Sequence, residues 1–349
     1  MKVRRLLPWA SAVLAVVGLA VMALSASAAP SKSGATAVRV AIVTDIGGLN
    51  DKGFNQLSNV GLQRAIRTLD NVSGRAYITN SANDRTSNLR TAAQSGFGLV
   101  IPVGVLFAFG PIDAVAPSFP STRFAGVDVN WADLKEKPSN VRGIQFREQE
   151  AGYLVGYIAG LRTRDEPGRD VISAVGANRV PAIVRFIAGY RAGARRANRR
   201  VRVLVNYAND PTFADQAKCK ETTLDQIERG SRVAFMVAGA CGLGGLQAAK
   251  ERRIWGIGVD ADQYFLGRHI LTSATKRVDV AVYDMIRLYQ RNPSGFRGGF
   301  NSVYNVRNNG VGYGRLSLRL SKAKRAEYTR KANNIKRLIA QGRIRPPAS

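Results

Sequence analysis

A polar, glycine-rich turn near the start of the chain brings together residue types suited to binding a small molecule. Residues 44–55 read TDIGGLNDKGFN and contain a carboxylate, Asp45, an aromatic ring, Phe54, and an amide, Asn55. An aromatic ring stacks on flat ligands, and carboxylate and amide groups hydrogen-bond their edges. This combination predicts a binding site for a small molecule.

The segments on either side of this turn are those that build a ligand crevice. Residues 38–43, VRVAIV, are short, apolar and β-branched, as expected for a parallel strand covered on both faces. The sequence LSNVGLQRA that follows the turn predicts a helix that packs back on the sheet. Because open α/β sheets bind ligands beyond the carboxyl ends of their strands, the turn is expected to line a cleft.

Predicted strands and helices alternate along the rest of the chain, which favours an α/β fold of two doubly wound, Rossmann-like lobes. No long linker separates the two series, so the lobes are expected to be joined by multiple crossovers, as in type I periplasmic binding proteins. We expect residues 36–142 and 277–299 to form lobe 1, and residues 143–276 and 300–349 to form lobe 2. The ligand cleft would lie between the lobes.

Several separated blocks of the sequence resemble a single family. The blocks are TDIGGLNDKGFNQ, FAGVDVN, GIQFREQEAGYLVGYIAG, FMVAGACGLGGLQAAKE, GIGVDADQ with LTSATKR, and IAQGRIRPP. In this order they resemble the basic membrane protein family, the substrate-binding proteins of ABC transporters that include bacterial purine-nucleoside receptors. Several spaced blocks are more specific than any one of them. The resemblance implies a type I periplasmic-binding-protein-like fold.

The resemblance also implies roles for the turn and for two later positions. Phe54 and Phe235 match positions whose rings stack on the purine, and Asp45, Asn55 and Asp128 match positions that address the base or the sugar edge. Without the resemblance, the residues favour an ordinary core position on a buried strand for Phe235. The two aspartates are also interpretable as turn formers.

Ribose recognition is implied for a second set of residues. Asp260, Lys276 and the backbone around Gly239 match the sugar-binding positions of the family. The alternatives are a strand-end turn for Asp260 and a solvated charge for Lys276. Where family members usually have a Gly-Phe pair, residues 102–109 read PVGVLFAF, which predicts a differently shaped wall and leaves the base preference open.

The first residues have the pattern of an export signal. Basic residues precede an apolar run, and the small residues SASAA follow it, which predicts a signal peptide over residues 1–28 with cleavage after Ala28. An uncleaved transmembrane anchor is the alternative, because the apolar run approaches spanning length. No Cys stands at the cleavage site, so the lipid anchor of many family members is not carried over. We expect a periplasmic location or the extracellular face of the cell envelope.

The charge balance is strongly basic. The formal net charge of +28 becomes +25 when the three basic residues of the leader are removed. Basic residues are spread along the chain and are mostly Arg, so nucleic acid is not expected as the partner. Attraction to an anionic envelope or membrane surface is expected instead, weakened by salt.

Two cysteines, Cys219 and Cys241, are the only thiols. An even number in an exported protein predicts a disulfide, with two free buried thiols as the alternative. Together with the single His269 they cannot fill a zinc site, and neither a metal nor a cofactor is expected. A nucleophilic triad and a cluster of catalytic carboxylates are both missing from the sequence, so we do not expect an enzyme.

The function predicted from the sequence is that of an exported substrate-binding protein of an ABC importer. Its partners would be a small solute, above all a purine nucleoside, and an ABC transporter permease. Two alternatives remain open at this point. One is a ligand-sensing surface receptor of the same fold that is not coupled to transport, and the other is a binder of a different small solute. A transcriptional repressor would need a helix-turn-helix where the leader stands.

Overall fold

Residues 37–349 are described by the computed structural model and contain two six-stranded sheets. The strands of the first sheet are β1 Val38–Val43, β2 Val72–Tyr77, β3 Leu99–Pro102, β4 Arg123–Val127, β5 Val141–Phe146 and β11 Phe300–Tyr304. The strands of the second sheet are β6 Val171–Gly176, β7 Arg202–Tyr207, β8 Val233–Val237, β9 Trp255–Asp260, β10 Ile270–Lys276 and β12 Val311–Tyr313. The helices are α1 Phe54–Thr68, α2 Asp84–Gln94, α3 Pro111–Val115, α4 Glu148–Arg164, α5 Pro181–Ala197, α6 Gln216–Glu228, α7 Gly242–Glu251, α8 Val278–Arg291 and α9 Lys322–Ala340.

Both sheets have the same strand order. The first runs β11-β5-β4-β3-β1-β2 and the second runs β12-β10-β9-β8-β6-β7. All pairs are parallel except β10 with the edge strand β12. Each sheet therefore has the doubly wound order 2-1-3-4-5 with a sixth strand at the edge. The ligand position of this order is the switch point between the neighbouring first and third strands. The fold class predicted from the sequence, two doubly wound α/β lobes, is confirmed.

The central strands owe their burial to runs of apolar residues. β3 (LVIP), β6 (VISAVG) and β8 (VAFMV) are buried at every position. Helices cover both faces of these strands, so the side chains of both faces must be apolar. As a result, the cleft is lined by residues at or beyond the carboxyl ends of the strands.

The chain passes between the sheets at three places, and two of the expected boundaries differ from the observed sheets. The crossings are at Arg147, at Arg277 and at residues 305–310. Residues 143–146 and 300–304 were expected in lobe 2, but β5 pairs with β4 and with β11 in the first sheet. The reason is that strand pairing continues to the end of each strand, and the chain leaves the sheet only afterwards.

Helices α4 and α5 of the second lobe pack unusually closely. A Cβ on Gly156 of α4 would collide with the carbonyl oxygen of Tyr190, and a Cβ on Gly193 of α5 would collide with that of Tyr153. Small residues at a spacing of four let the two backbones approach each other. This contact fixes the amino ends of both helices, where Glu148 and Phe186 face the cleft region.

The helices within residues 37–349 include none that is both long and apolar enough to cross a bilayer. The predicted signal peptide, residues 1–28, lies outside the described residues.

Candidate ligand-binding cleft

A cavity lies between the carboxyl ends of the two sheets. The empty space between its walls is about 730 Å³, which includes space open to solvent. Both lobes contribute to its wall, and the lining residues include seven of the eight predicted ones: Asp45, Phe54, Asn55, Asp128, Gly239, Asp260 and Lys276. The loops after β1, β3, β4, β8 and β9 thus meet at one site, although they are far apart in the sequence.

The turn after β1 is held in place by a buried carboxylate. Asp51 is 5% exposed and accepts the backbone N–H groups of Gly53, Asn55 and Gln56 at 3.0, 2.7 and 3.0 Å. Burial raises the pKa of Asp51, and these N–H groups partly offset the rise. Because it satisfies the free amides at the start of α1, Asp51 fixes the position from which Phe54 and Asn55 reach the cavity.

Asp45 and Asn55 share a corner of the cavity. The Nη2 and Nε atoms of Arg85 lie 2.7 and 2.8 Å from Asp45 Oδ1. The Asn55 Nδ2 group donates to the carbonyl oxygens of Asp45 and Ile46, at 3.1 and 3.3 Å. Asn55 Oδ1 is buried and has no hydrogen-bond partner among the described residues. A ligand that donates a hydrogen bond would satisfy this acceptor.

Asp128 and Asp260 occupy matching positions in the two lobes. Asp128 follows β4 and Asp260 ends β9, and these strands have the same place in their sheet orders. Both have φ of 62°, a left-handed conformation that Asp adopts more readily than most residues. Both backbones thus have a conformation that is common in turns, and both side chains line the cavity.

A buried ion network crosses the cleft. Lys276 Nζ of lobe 2 lies 2.6 Å from Asp128 Oδ1 of lobe 1 and 3.1 Å from Glu148 Oε1, and Lys276 is only 2% exposed. Arg185 Nε lies 2.6 Å from Glu148 Oε2. Lys276 is thus a paired, buried cation rather than a solvated charge, and neither Glu148 nor Arg185 was predicted from the sequence.

Burial sets the protonation tendencies of this network. It lowers the pKa of Lys276, but Asp128 and Glu148 outweigh it, so the net change is a raised pKa. Burial raises the pKa of Asp128, and Lys276 only partly reverses this. Burial also raises the pKa of Asp260 to about 7, against the lowering effect of Lys276.

Three aromatic rings surround the Lys276 ammonium. Nζ lies 5.1 Å from the ring centre of Phe54, 4.9 Å from that of Phe146 and 6.0 Å from that of Phe186. Cation–π attraction at these distances is worth about 0.5–2 kcal/mol each. Phe54 and Phe186 also line the cavity, so apolar ring surface and charged groups adjoin in one site.

Phe235 does not line the cavity, so the prediction that its ring faces the ligand is wrong for this structure. Its side chain is fully buried, and its ring centre lies 5.0 Å from that of Tyr190 and 6.1 Å from that of Phe186. Phe235 is in the middle of β8, two residues before the strand ends, where side chains face the covering helices. Phe186, on α5, provides the aromatic surface of lobe 2 instead.

The loop after β8 is fastened to the neighbouring loop. Gly239 has φ of 58° and lines the cavity, and the amide of Cys241 donates to the carbonyl oxygen of Phe213 at 3.0 Å. Cys241 and Cys219 form a disulfide with Cα atoms 5.5 Å apart. The bond ties the cavity wall at residues 239–241 to the start of α6.

The lobes also touch beside the cavity. Gln263 Nε2 of lobe 2 donates to the carbonyl oxygen of Lys52 in lobe 1 at 3.1 Å. Asp260 Oδ2 lies near Gly53, at the start of α1. With the Lys276–Asp128 pair, these contacts describe a closed arrangement of the two lobes.

Among residues 37–349, no group of three or more His, Cys, Asp or Glu side chains is placed to hold a metal ion.

Comparison with known proteins identifies the family. The sequence pattern of the Bmp family, described as "ABC transporter substrate-binding protein PnrA-like", matches residues 38–348. The "ABC transporter nucleoside-binding protein BmpA" of Lactococcus lactis subsp. cremoris is 32% identical over 300 residues, 80% of this chain and 82% of that protein. An uncharacterized lipoprotein of Pyrococcus abyssi is 31% identical over 339 residues, 93% of this chain and 80% of that protein.

Solved structures agree with this result. The crystal structure of an ABC transporter system solute-binding protein from Aeropyrum pernix K1 superposes with a TM-score of 0.77 at 28% identity, covering 89% of this chain and 94% of that chain. The chain therefore belongs to the Bmp family of ABC transporter substrate-binding proteins.

Proposed function

We propose that this protein is exported, binds a purine nucleoside between its closing lobes and delivers it to an ABC transporter permease. The main observation behind the proposal is that Asp260 is buried in the cavity wall without a hydrogen-bond donor in the described part of the chain. Asp260 is 7% exposed and lines the cavity, and its carboxylate receives no hydrogen bond from a described residue. A buried carboxylate without a donor is costly, and the hydroxyl groups of a ribose would supply the missing donors.

The charge of the cleft favours a nucleoside over a nucleotide. The wall of the cavity and the layer directly behind it contain four carboxylates and two cations. Asp45 and Arg85 are not counted, because they neutralise each other in a separate pair. The carboxylates are Asp51, Asp128, Glu148 and Asp260, and the cations are Lys276 and Arg185. This excess of acidic groups would repel a phosphate, whereas a neutral molecule with hydroxyl groups meets no such barrier.

Two aromatic side chains in the cavity wall could stack on the base of a nucleoside. The rings of Phe54 and Phe186 face the cavity from opposite lobes, and stacking on them would contribute about 0.5–1.5 kcal/mol per ring beyond the buried area. The Lactococcus relative is named nucleoside-binding, which supports the same ligand class. A binding role, rather than catalysis, fits a site whose charged side chains are mostly paired with one another.

Export is proposed from the leader, residues 1–28. The Pyrococcus relative is named a lipoprotein, but both cysteines of this chain are joined in the disulfide of lobe 2. We therefore propose a location outside the cytoplasmic membrane, in the periplasm or at the extracellular face of the cell envelope.

The test is ligand binding by the purified mature protein. Extraction of the denatured protein should yield a nucleoside, and adenosine, guanosine or inosine should raise the melting temperature, because a ligand bound only by the folded state stabilises it. Sugars and amino acids serve as controls. A shift produced by those controls and by no nucleoside would refute the proposal.

A further inference from the structure

We infer that the base end of the cleft selects a purine whose exposed edge offers two neighbouring N–H donors, as guanine does with N1–H and its 2-amino group. The inference rests on the proposed function and adds to it the choice among purines. It is carried by two acceptor atoms at the Asp45–Asn55 corner of the cavity.

The first acceptor is Asn55 Oδ1. The amide of Asn55 has only one orientation compatible with its neighbours, because two backbone carbonyl oxygens, those of Asp45 and Ile46, require the NH₂ group on their side. The oxygen is therefore the atom left over, and it is buried without a partner among the described residues. The side chain is 2% exposed and lines the cavity, so a ligand is the available source of a donor.

The second acceptor is Asp45 Oδ2. Three donors bond to the other oxygen, Oδ1, at 2.7 to 2.8 Å. They are Nη2 and Nε of Arg85 and the backbone amide of Ile46. Oδ2 accepts no hydrogen bond from a described residue and faces Gly104, where an added Cβ would lie 3.0 Å from it. A glycine here leaves the carboxylate open to the cavity. A carboxylate oxygen accepts hydrogen bonds.

Two acceptors at the same corner of the cavity discriminate between purines by their hydrogen-bonding edges. Guanine presents two donors and satisfies both oxygens. Inosine lacks the 2-amino group and leaves one oxygen unpaired. Adenine presents one donor and, at N1, an acceptor that would face an acceptor of the protein. Unpaired or opposed buried groups of this kind reduce affinity by about tenfold or more.

The residues next to this corner do not reduce the preference for guanine. Val105 and Leu106 form the adjacent wall, and both side chains are apolar. Their sequence, PVGVLFAF with its neighbours, is the segment in which the chain differs from the usual family pattern. An apolar wall supplies no side-chain donor that could satisfy Asn55 or Asp45 in place of the ligand.

Calorimetry with four nucleosides tests the inference on the wild-type protein. We expect guanosine to bind most tightly, inosine about tenfold more weakly, and adenosine and 1-methylguanosine more weakly by tenfold or more. Adenosine binding as tightly as guanosine would overturn the inference and leave the proposed function intact. No binding by any nucleoside would overturn both, so the two failures are distinguishable.

A substitution at Asp45 gives a second test of the inference. Asp45→Asn keeps an oxygen for Arg85 and places an NH₂ group where Oδ2 was, so that the corner offers one donor and one acceptor. The ratio of adenosine affinity to guanosine affinity should then rise by about tenfold or more. Asp70→Asn, an exposed residue of lobe 1, is the matched control and should leave the ratio unchanged. An unchanged ratio in folded Asp45→Asn protein would overturn the inference.

Discussion

Lys276 and Asp128 join the two lobes through an ion pair of 2.6 Å that is almost completely removed from solvent. The pair closes the cleft from inside, since Lys276 ends β10 of the second sheet and Asp128 follows β4 of the first. Glu148 and three aromatic rings complete the surroundings of the ammonium group. We therefore expect stability, pH response and ligand binding to depend on this region.

Removing the cation should destabilise the protein strongly. Lys276→Met keeps the apolar stem but leaves Asp128 and Glu148 buried without their partner, and breaking a buried pair in this way costs about 3–5 kcal/mol. Denaturant unfolding measures the loss. Lys324→Met is the matched control, because its pair with Asp165 lies at the surface, where Lys324 is 41% exposed, and should change stability little. Equal effects of the two substitutions would contradict the role of burial.

Ionisation of Asp260 should give the stability a specific pH dependence. Its pKa is raised from 3.8 to about 7 in the folded protein, so between these values the folded state binds more protons than the unfolded state. The free energy of unfolding should therefore decrease as the pH rises through this window and level off above about pH 7. The contribution is on the order of 4 kcal/mol at most, from 1.36 kcal/mol per pKa unit.

Asp260→Asn isolates this contribution from the other carboxylates. The variant should lose the decrease between about pH 4 and 7, because an amide does not titrate. Chemical unfolding of both proteins at several pH values, without ligand, gives the difference curve. A flat difference would show that Asp260 has an ordinary pKa.

Ribose recognition should depend on the same residue. Asp260→Ala is expected to weaken nucleoside binding by about ten- to a hundredfold, since a charged hydrogen bond contributes about 1.5–3 kcal/mol. The free base has no hydroxyl groups for Asp260 and should lose little affinity. Calorimetry with the nucleoside and the base on both proteins makes the comparison, and parallel losses would indicate that Asp260 organises the fold of the loop rather than the sugar.

Substitution of Phe54 and of Phe235, to which the family resemblance assigns the same stacking role, should have different effects. Phe54→Ala removes a ring that lines the cavity and should reduce nucleoside affinity by about tenfold. Phe235→Ala removes a core ring and should cost about 3–5 kcal/mol of stability, with little loss of affinity per folded molecule. Thermal unfolding and titration of both variants separate the effects. A larger loss of affinity in Phe235→Ala than in Phe54→Ala would show that the Phe235 ring contacts the ligand.

Loss of the disulfide should lower the stability of lobe 2. The bond between Cys219 and Cys241 closes a loop with a sequence separation of 22, for which the chain-entropy treatment gives about 3 kcal/mol. The double substitution Cys219→Ser with Cys241→Ser should reduce the melting temperature accordingly. Intact mass with and without reductant checks the oxidised state first. Two freely alkylated thiols in the untreated protein would contradict the bond.

Local sequence determined the fold class and most of the cavity wall. Apolar β-branched runs that end in polar turns are typical of buried parallel strands with a cleft at their carboxyl ends. Asp45, Asn55, Asp128 and Asp260 could therefore be assigned to that edge by their positions along the chain. Asp51 could also be recognised, because a carboxylate before a helix satisfies free amides within a few residues.

Tertiary packing decided which side chains meet. Glu148 is 128 residues from Lys276 and 37 from Arg185, and nothing in the local sequence specifies such partners. The family resemblance implied a ligand-facing ring for Phe235, whereas the apolar pattern of its strand indicated a core residue, and the buried ring agrees with the pattern. Close packing of α4 on α5 through glycines brings Phe186 into the wall instead. Contacts between distant segments depend on how whole helices and sheets pack, and only the folded chain determines that.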